Sequence, residues 1–291
     1  MRPMKVSIVA ALMLTLSCAW VRAAEQGESS PSPTRIDHAG LKKLSWQLLC
    51  QASTFRELTV IEMLDVLHTN GFHHIELSQG QSLSPDHKDI KVGPEMAPAH
   101  LEMLNTRLKE AHLDIVSYGV AEFGHSETDA RKAFEFARNL KVKNVVATPS
   151  SDSLEMLDKL ATEYQINVAI LNQPGSPPYA DGDALFQAIQ ERSTRIGICA
   201  HIVEWRRAGQ DPVDCVRKLK GRIFEIHLKD SSSPQDTAAI SDVLKELAQQ
   251  KFKGAFCVQT ATGSRQELLK NLAAVVNSFS DMVTRLAAAA Q

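Results

Sequence analysis

From Leu44 onward the chain alternates eight times between a short apolar segment and a longer amphipathic one. That rhythm belongs to strand-then-helix units, because a parallel strand covered by helices on both sides reads as an apolar run. The predicted strands are WQLLC at 46–50, HHIEL at 73–77, LDIVSY at 113–118, NVVAT at 144–148, NVAIL at 167–171, RIGICA at 195–200, RIFEIHL at 222–228 and AFCVQT at 255–260. Helices are predicted at 59–69, 97–111, 127–140, 153–164, 183–191, 212–219, 238–250 and 265–286. In the first of these, Val60, Leu64 and Leu67 form one apolar face while Glu62 and Asp65 face outward. Asp211 before Pro212 suits a helix start, and Gly71, Gly221 and Gly254 stand where a left-handed backbone links helix to strand. Eight such units in one stretch predict a single α/β domain over 44–288, closed into an eight-stranded barrel. An open doubly wound sheet is the alternative, but no Gly-rich dinucleotide loop follows the first strand, and no nucleotide cofactor is expected.

The first 23 residues read differently. Arg2 and Lys5 precede the apolar run VSIVAALMLTLSC, and Val21-Arg22-Ala23 offers small residues where a signal peptidase reads. A cleavable signal peptide at 1–23 is expected, with an exported, periplasmic or secreted product and no stable membrane span after cleavage. Residues 24–43, rich in Ser, Pro and Gly, read as a flexible linker. Cleavage would take the formal charge from -2 to -5, which gives no general electrostatic reason to bind nucleic acid. Cys50, Cys199, Cys215 and Cys257 remain; no CxxC pair occurs among them, and buried thiols are expected.

In a barrel of this type the loops after the strands gather at one rim, so chemistry is sought at strand ends. Period-two alternation that turns His227 inward also turns Glu225 and Ile223 inward. The same reasoning pairs Glu76 with His74, Gln259 with Cys257, and His201 with Cys199. Glu76, His201, His227, Asp230 and Gln259 then converge, and carboxylates with imidazoles suit a divalent ion that polarises a hydroxyl or carbonyl oxygen. Lys229 is a candidate for stabilising negative charge, and Trp205 for an apolar face against a sugar ring. Ser117 and His112 make no hydrolytic triad, since no GxSxG elbow is present.

The segments IELSQGQSLSPDH at 75–87, SYGVAEFG at 117–124, the Trp205 region through DPVDCVRKLKGRI, and IHLKD at 226–230 resemble the xylose-isomerase-like TIM-barrel superfamily. The similarity covers roughly 45–279 and points especially to sugar phosphate isomerase/epimerase-like proteins. It implies metal-assisted movement of a proton or hydride between adjacent carbons of a small carbohydrate, with Mn, Mg, Co or Zn as the divalent ion. On this resemblance Glu76, His201, Glu204 and His227 are the implied metal ligands. Glu76, Glu204, Glu225 and Asp230 are the implied catalytic groups, and Asn172, Trp205, Lys229 and Gln259 the implied substrate contacts. Several matched positions depart from the pattern: Leu171 and Gln259 stand where polar or acidic ligands are usual, and His201 and Glu204 replace an Asp and a His. Two-base epimerisation needs groups on both faces of a substrate, and an amide at Gln259 cannot serve as one of them. The readings that follow are a divergent isomerase or epimerase, a sugar lyase, or a catalytically inactive barrel that binds a carbohydrate or a protein.

Overall fold

The computed structural model describes residues 33–124, 126–173, 179–229, 233–261 and 263–290. The expected signal peptide, the linker as far as residue 32 and Asp230 lie outside the described residues.

Among the described residues there are ten strands: β1 (Gln47–Gln51), β2 (His74–Leu77), β3 (Ser82–Ser84), β4 (His87–Lys91), β5 (Asp114–Ala121), β6 (Asn144–Ala147), β7 (Asn167–Leu171), β8 (Ile196–His201), β9 (Ile223–Lys229) and β10 (Ala255–Gln259). Eight of them close in the order β1-β10-β9-β8-β7-β6-β5-β2, all parallel, with β1 paired to both β10 and β2. That closure rules out the open sheet. Helices α1 (His38–Leu44), α2 (Val60–Thr69), α3 (Pro98–Glu110), α4 (Glu127–Asn139), α5 (Leu154–Tyr164), α6 (Gly182–Ile189), α7 (Ile202–Arg207), α8 (Pro212–Lys218), α9 (Pro234–Gln249) and α10 (Arg265–Ala289) accompany the strands. Among the described residues no helix is long and apolar enough to cross a membrane.

Side-chain alternation divides the apolar residues into layers. Outward residues such as Leu48, Ile75, Val145, Ile170, Ile198, Ile226 and Val258 join the helices in one continuous core. Inside the barrel lie two smaller groups, Leu49, Val116, Ala255 and Cys257 on one side and Val146, Ala169, Leu171 and Cys199 on the other. The four described cysteines are free and buried, as their apolar surroundings suggest.

The register of β9 corrects one expectation. Ile198 pairs with Ile223, but Cys199 pairs with Glu225, so Phe224 is an extra residue in the strand. Ile223 therefore joins the outer core, while Phe224 packs against the inner Val146 group. Gly197 makes room for this: a Cβ there would meet the Arg222 carbonyl oxygen at 2.3 Å and the Phe224 ring at 2.4 Å. Past the bulge, Glu225 and His227 point inward as expected.

Other differences are local. Residues 38–44, read as the end of a linker, form α1. Asp37 caps it by accepting from Gly40 N at 2.9 Å and also accepts from Thr284 Oγ1 at 2.6 Å, which ties α1 to α10. The connection after β2 contains the β3–β4 hairpin, held by Gln81 Nε2 donating to the Phe55 and Leu58 carbonyls at 3.1 and 2.9 Å. Gly71 and Gly221 have φ of +76° and +79°, matching their predicted role. Gly254 instead permits close approach, since a Cβ there would lie 2.8 Å from the Phe224 carbonyl oxygen.

Candidate active site at the barrel mouth

Gln51, Leu171, His201, Lys229 and Gln259 are the last residues of five different strands, and all five line one cavity of about 390 Å³. Ser53, Ser78, Gln79, Gln173 and His227 add hydroxyl, amide and imidazole groups to its wall. Gln79 is fixed there because its Oε1 accepts from Tyr118 OH at 2.9 Å and from Glu122 N at 3.1 Å.

Below the cavity a polar chain runs into the barrel. Ser53 Oγ donates to Gln51 Oε1 at 2.7 Å, and Gln51 Nε2 donates to Glu76 Oε1 at 2.6 Å. Glu76 Oε2 lies 3.1 Å from His227 Nε2 and 3.4 Å from Ser117 Oγ. His227 Nδ1 in turn lies 3.1 Å from His201 Nε2. Glu76, Ser117, Glu225 and His227 are buried, with the imidazole of His201 at the cavity end of the chain.

Electrostatics sets the protons in this chain. Burial pushes the Glu76 carboxyl up, but the His227 charge and hydrogen bond, with Glu225 and Gln51, overcome it and hold the group at about 2. Burial opposes a charge on His227, yet contact with Cys199 and the charge of Glu76 outweigh it and raise the imidazole well above its ordinary value. The Cys199 thiol is itself pushed up to about 12 by burial, so Glu76 is the anion that balances His227 at neutral pH. His201 is driven well below its ordinary value by burial and then by the charge on His227. A charged His227 donates from both nitrogens, so neutral His201 accepts at Nε2 and carries its proton on Nδ1, a buried atom with no partner among the described residues.

Glu225 is the second carboxylate beside His227, with its Oε1 3.3 Å from Nε2. One N–H cannot serve two carboxylates, and neither Glu225 oxygen has an aligned donor. Burial and then the neighbouring Glu76 charge raise this carboxyl to about 7. Ligand atoms of Glu76, Glu225, His227 and Cys257 all lie within 4.8 Å of one another, a group able to hold a metal ion.

The structure brings together Glu76, Glu225, His201 and His227, with Gln259 and Lys229 above them. Three expected residues go elsewhere, two of them because α7 begins directly after His201. Its helical turn swings Glu204 to Arg207 at 3.0 Å and to Lys229 at 3.7 Å, away from the Glu76 group. It also buries Trp205 completely in the outer core, where no sugar ring can stack on it. Asn172 is spent on backbone: its Oδ1 accepts from His201 N at 2.5 Å and its Nδ2 donates to His201 O at 3.1 Å. The amide thus stands in for one more pair of the β7–β8 ladder and fixes where His201 sits. With Leu171 apolar, Gln259 an amide and Glu204 engaged, the donor set found among the described residues lies one layer below the mouth.

Gln51, Ser117 and Cys257 are site residues that sequence reasoning did not assign to the chemistry. Cys257 carried a signal, the alternation that turned it inward with Gln259. Gln51 and Ser117 became visible only when β1 and β5 were placed on either side of β2.

No protein-family model and no curated protein matches the chain. Solved structures do. A putative uncharacterized protein from Parabacteroides distasonis matches with 27% identity and a TM-score of 0.65, over 78% of this chain and 97% of that one. A sugar phosphate isomerase/epimerase from the same organism matches with 14% identity and a TM-score of 0.59, over 80% and 93%. An IOLI protein described with a zinc atom matches with 16% identity and a TM-score of 0.60, over 82% and 98%. The chain has the fold of the xylose isomerase-like TIM barrels. Proteins described as sugar isomerases and epimerases share that fold.

Proposed function

We propose that the barrel mouth binds a small carbohydrate and moves a proton between adjacent atoms on one face of it, an isomerase-type reaction. The observation that carries this reading is the Glu76–His227–His201 chain, which starts on a buried carboxylate and ends on an imidazole lining a cavity of suitable size. The amides of Gln51, Gln79 and Gln259 and the hydroxyls of Ser53 and Ser78 suit sugar hydroxyls, and Lys229 suits a developing oxyanion.

His201 Nδ1 is buried at the mouth, and a small shift of the ring would uncover it; with one proton fewer in the chain it then accepts a proton from the substrate, and with the full complement it returns one to the neighbouring atom on the same face. Glu76 stays ionised throughout and stabilises the charged imidazole. Among the described residues the opposite wall supplies no acid or base: Val146, Ala169 and Leu171 are apolar, and Gln173 donates to Thr148 Oγ1 at 3.3 Å. This favours isomerisation over two-base epimerisation. A divalent ion held by Glu76, Glu225 and His227 would take the place of the His227 Nε2 proton as the positive charge beneath the reacting face, in keeping with the zinc described for one structural neighbour.

Incubation with small aldoses, ketoses and sugar acids in D₂O, followed by NMR, tests the reading. Interconversion with deuterium entering at one carbon is expected, and His201→Gln lowers turnover by about 10²–10⁴-fold. Saturable binding without deuterium entry would instead identify a catalytically inactive carbohydrate-binding barrel. We also propose export directed by residues 1–23, on the charged start, apolar run and small residues before Ala24. Mass spectrometry of the protein recovered after full-length expression should find a chain beginning at Ala24, and an intact Met1 end would refute export by this route.

A further inference from the structure

We infer that Glu76, Glu225, His227 and Cys257 form a closed, buried site for one zinc-class divalent ion, one layer beneath the mouth. Three observations carry the assignment. The four ligand atoms are already gathered within 4.8 Å of one another by β2, β9 and β10, so little rearrangement is needed. Both oxygens of Glu225 are buried without an aligned donor, and such a carboxylate is stabilised either by its own proton or by a cation. The packing leaves no room for the water shell that magnesium keeps, since all four residues are buried to 2% exposure or less.

The donors select the ion. One thiolate, one imidazole and two carboxylates are the mixed soft and hard set that zinc and cobalt accept at four-coordinate sites, whereas magnesium and manganese prefer oxygen alone. Binding displaces protons from Cys257 Sγ, His227 Nε2 and Glu225 to solvent, and these atoms become ligands. His227 keeps its other proton on Nδ1 and donates it to His201 Nε2, so the contact at 3.1 Å becomes the support that orients a metal-bound imidazole. The cavity above, whose wall includes the buried His227, is the side from which the ion reaches the site.

This site differs from the set expected at the mouth, because neither His201 nor Glu204 is a ligand. It also stands apart from the carbohydrate reading, since binding is measured without any sugar. Chelator-stripped protein is titrated with Co(II) and with Zn(II) while absorbance and thermal unfolding are followed. One equivalent of Co(II) should bind, with a near-ultraviolet sulfur-to-cobalt charge-transfer band, and one equivalent of Zn(II) should displace it and raise the unfolding midpoint. Cys257→Ser should remove the band, Cys50→Ser should keep it, and Glu225→Gln should weaken binding by about tenfold or more. Absence of stoichiometric uptake by the unmodified protein would overturn the assignment. So would a cobalt complex lacking the sulfur band, or a band that persists in folded Cys257→Ser protein.

Discussion

The two halves of the barrel interior are built from the same kind of strand and hold opposite chemistry. On the side of β1, β2, β9 and β10 the inward positions carry Gln51, Glu76, Glu225, His227 and Cys257; on the side of β6, β7 and β8 they carry Val146, Ala169, Leu171 and Cys199, with His201 at the seam where the β8 rim meets β9. Buried polar groups tolerate a low-dielectric interior only as a connected set, so polarity collects on one wall and leaves the other dry. A ligand at the mouth therefore meets acid–base chemistry from one side. That asymmetry is why a same-face proton shift fits the site better than an exchange across two faces.

Placing a charge on the dry wall is the severest way to break this contrast. Val146→Glu puts an unpaired carboxylate at a fully buried position and should cost about 3–5 kcal/mol in urea unfolding. A loss under about 1 kcal/mol would mean that water or a partner reaches that wall. At the seam between the halves, Asn172→Ala leaves the buried His201 N–H without its side-chain acceptor and should cost about 1–3 kcal/mol. The same variant should also lower turnover, which tests whether the bracket positions the imidazole as well as stabilising it. The smallest effect lies at the opposite end of the barrel, where the His38 and His73 rings stack at 4.2 Å. Burial, then the neighbouring His73, lowers the His38 pKa, so its contribution is complete above the ordinary value of 6.5 and is lost as pH falls below it toward the folded value. Hydrogen exchange should show faster opening of α1 amides under mild acid with no change at β9; uniform opening of both would refute a local effect.

The strand–helix alternation and the barrel were legible because apolar periodicity is a local signal, repeated eight times, and element ends were placed within a few residues. Strand phase was legible too, and it gathered Glu76, Glu225, His201 and His227 correctly. It failed at Ile223, where one extra residue shifts the count, because a bulge leaves no mark in hydrophobic pattern. Glu204 and Trp205 came from residue type and the family resemblance, and neither shows that α7 starts at Ile202 and sends both away from the cavity. Asn172 looked like a sugar contact because an amide at a strand end has the same composition whether it faces a ligand or a neighbouring backbone. The α1 helix was missed for a different reason: its seven residues are stabilised by Asp37 and α10, neither of which shows in a local reading.

The extra residue in β9 makes the arrangement depend on how that residue is accommodated. With Ile223 outward, Glu225 and His227 face the axis because the bulge absorbs Phe224: straightening the strand with Phe224 kept would turn both groups toward the helices and present Ile226 and Leu228 in their place, whereas deleting Phe224 would leave both inward. An ungapped alignment of this strand with a barrel that lacks the bulge would match each acid to the wrong neighbour. Lineages that lose that one residue would be expected to keep both groups inward, whereas those that keep it but pair it in register would change their chemistry within the same architecture.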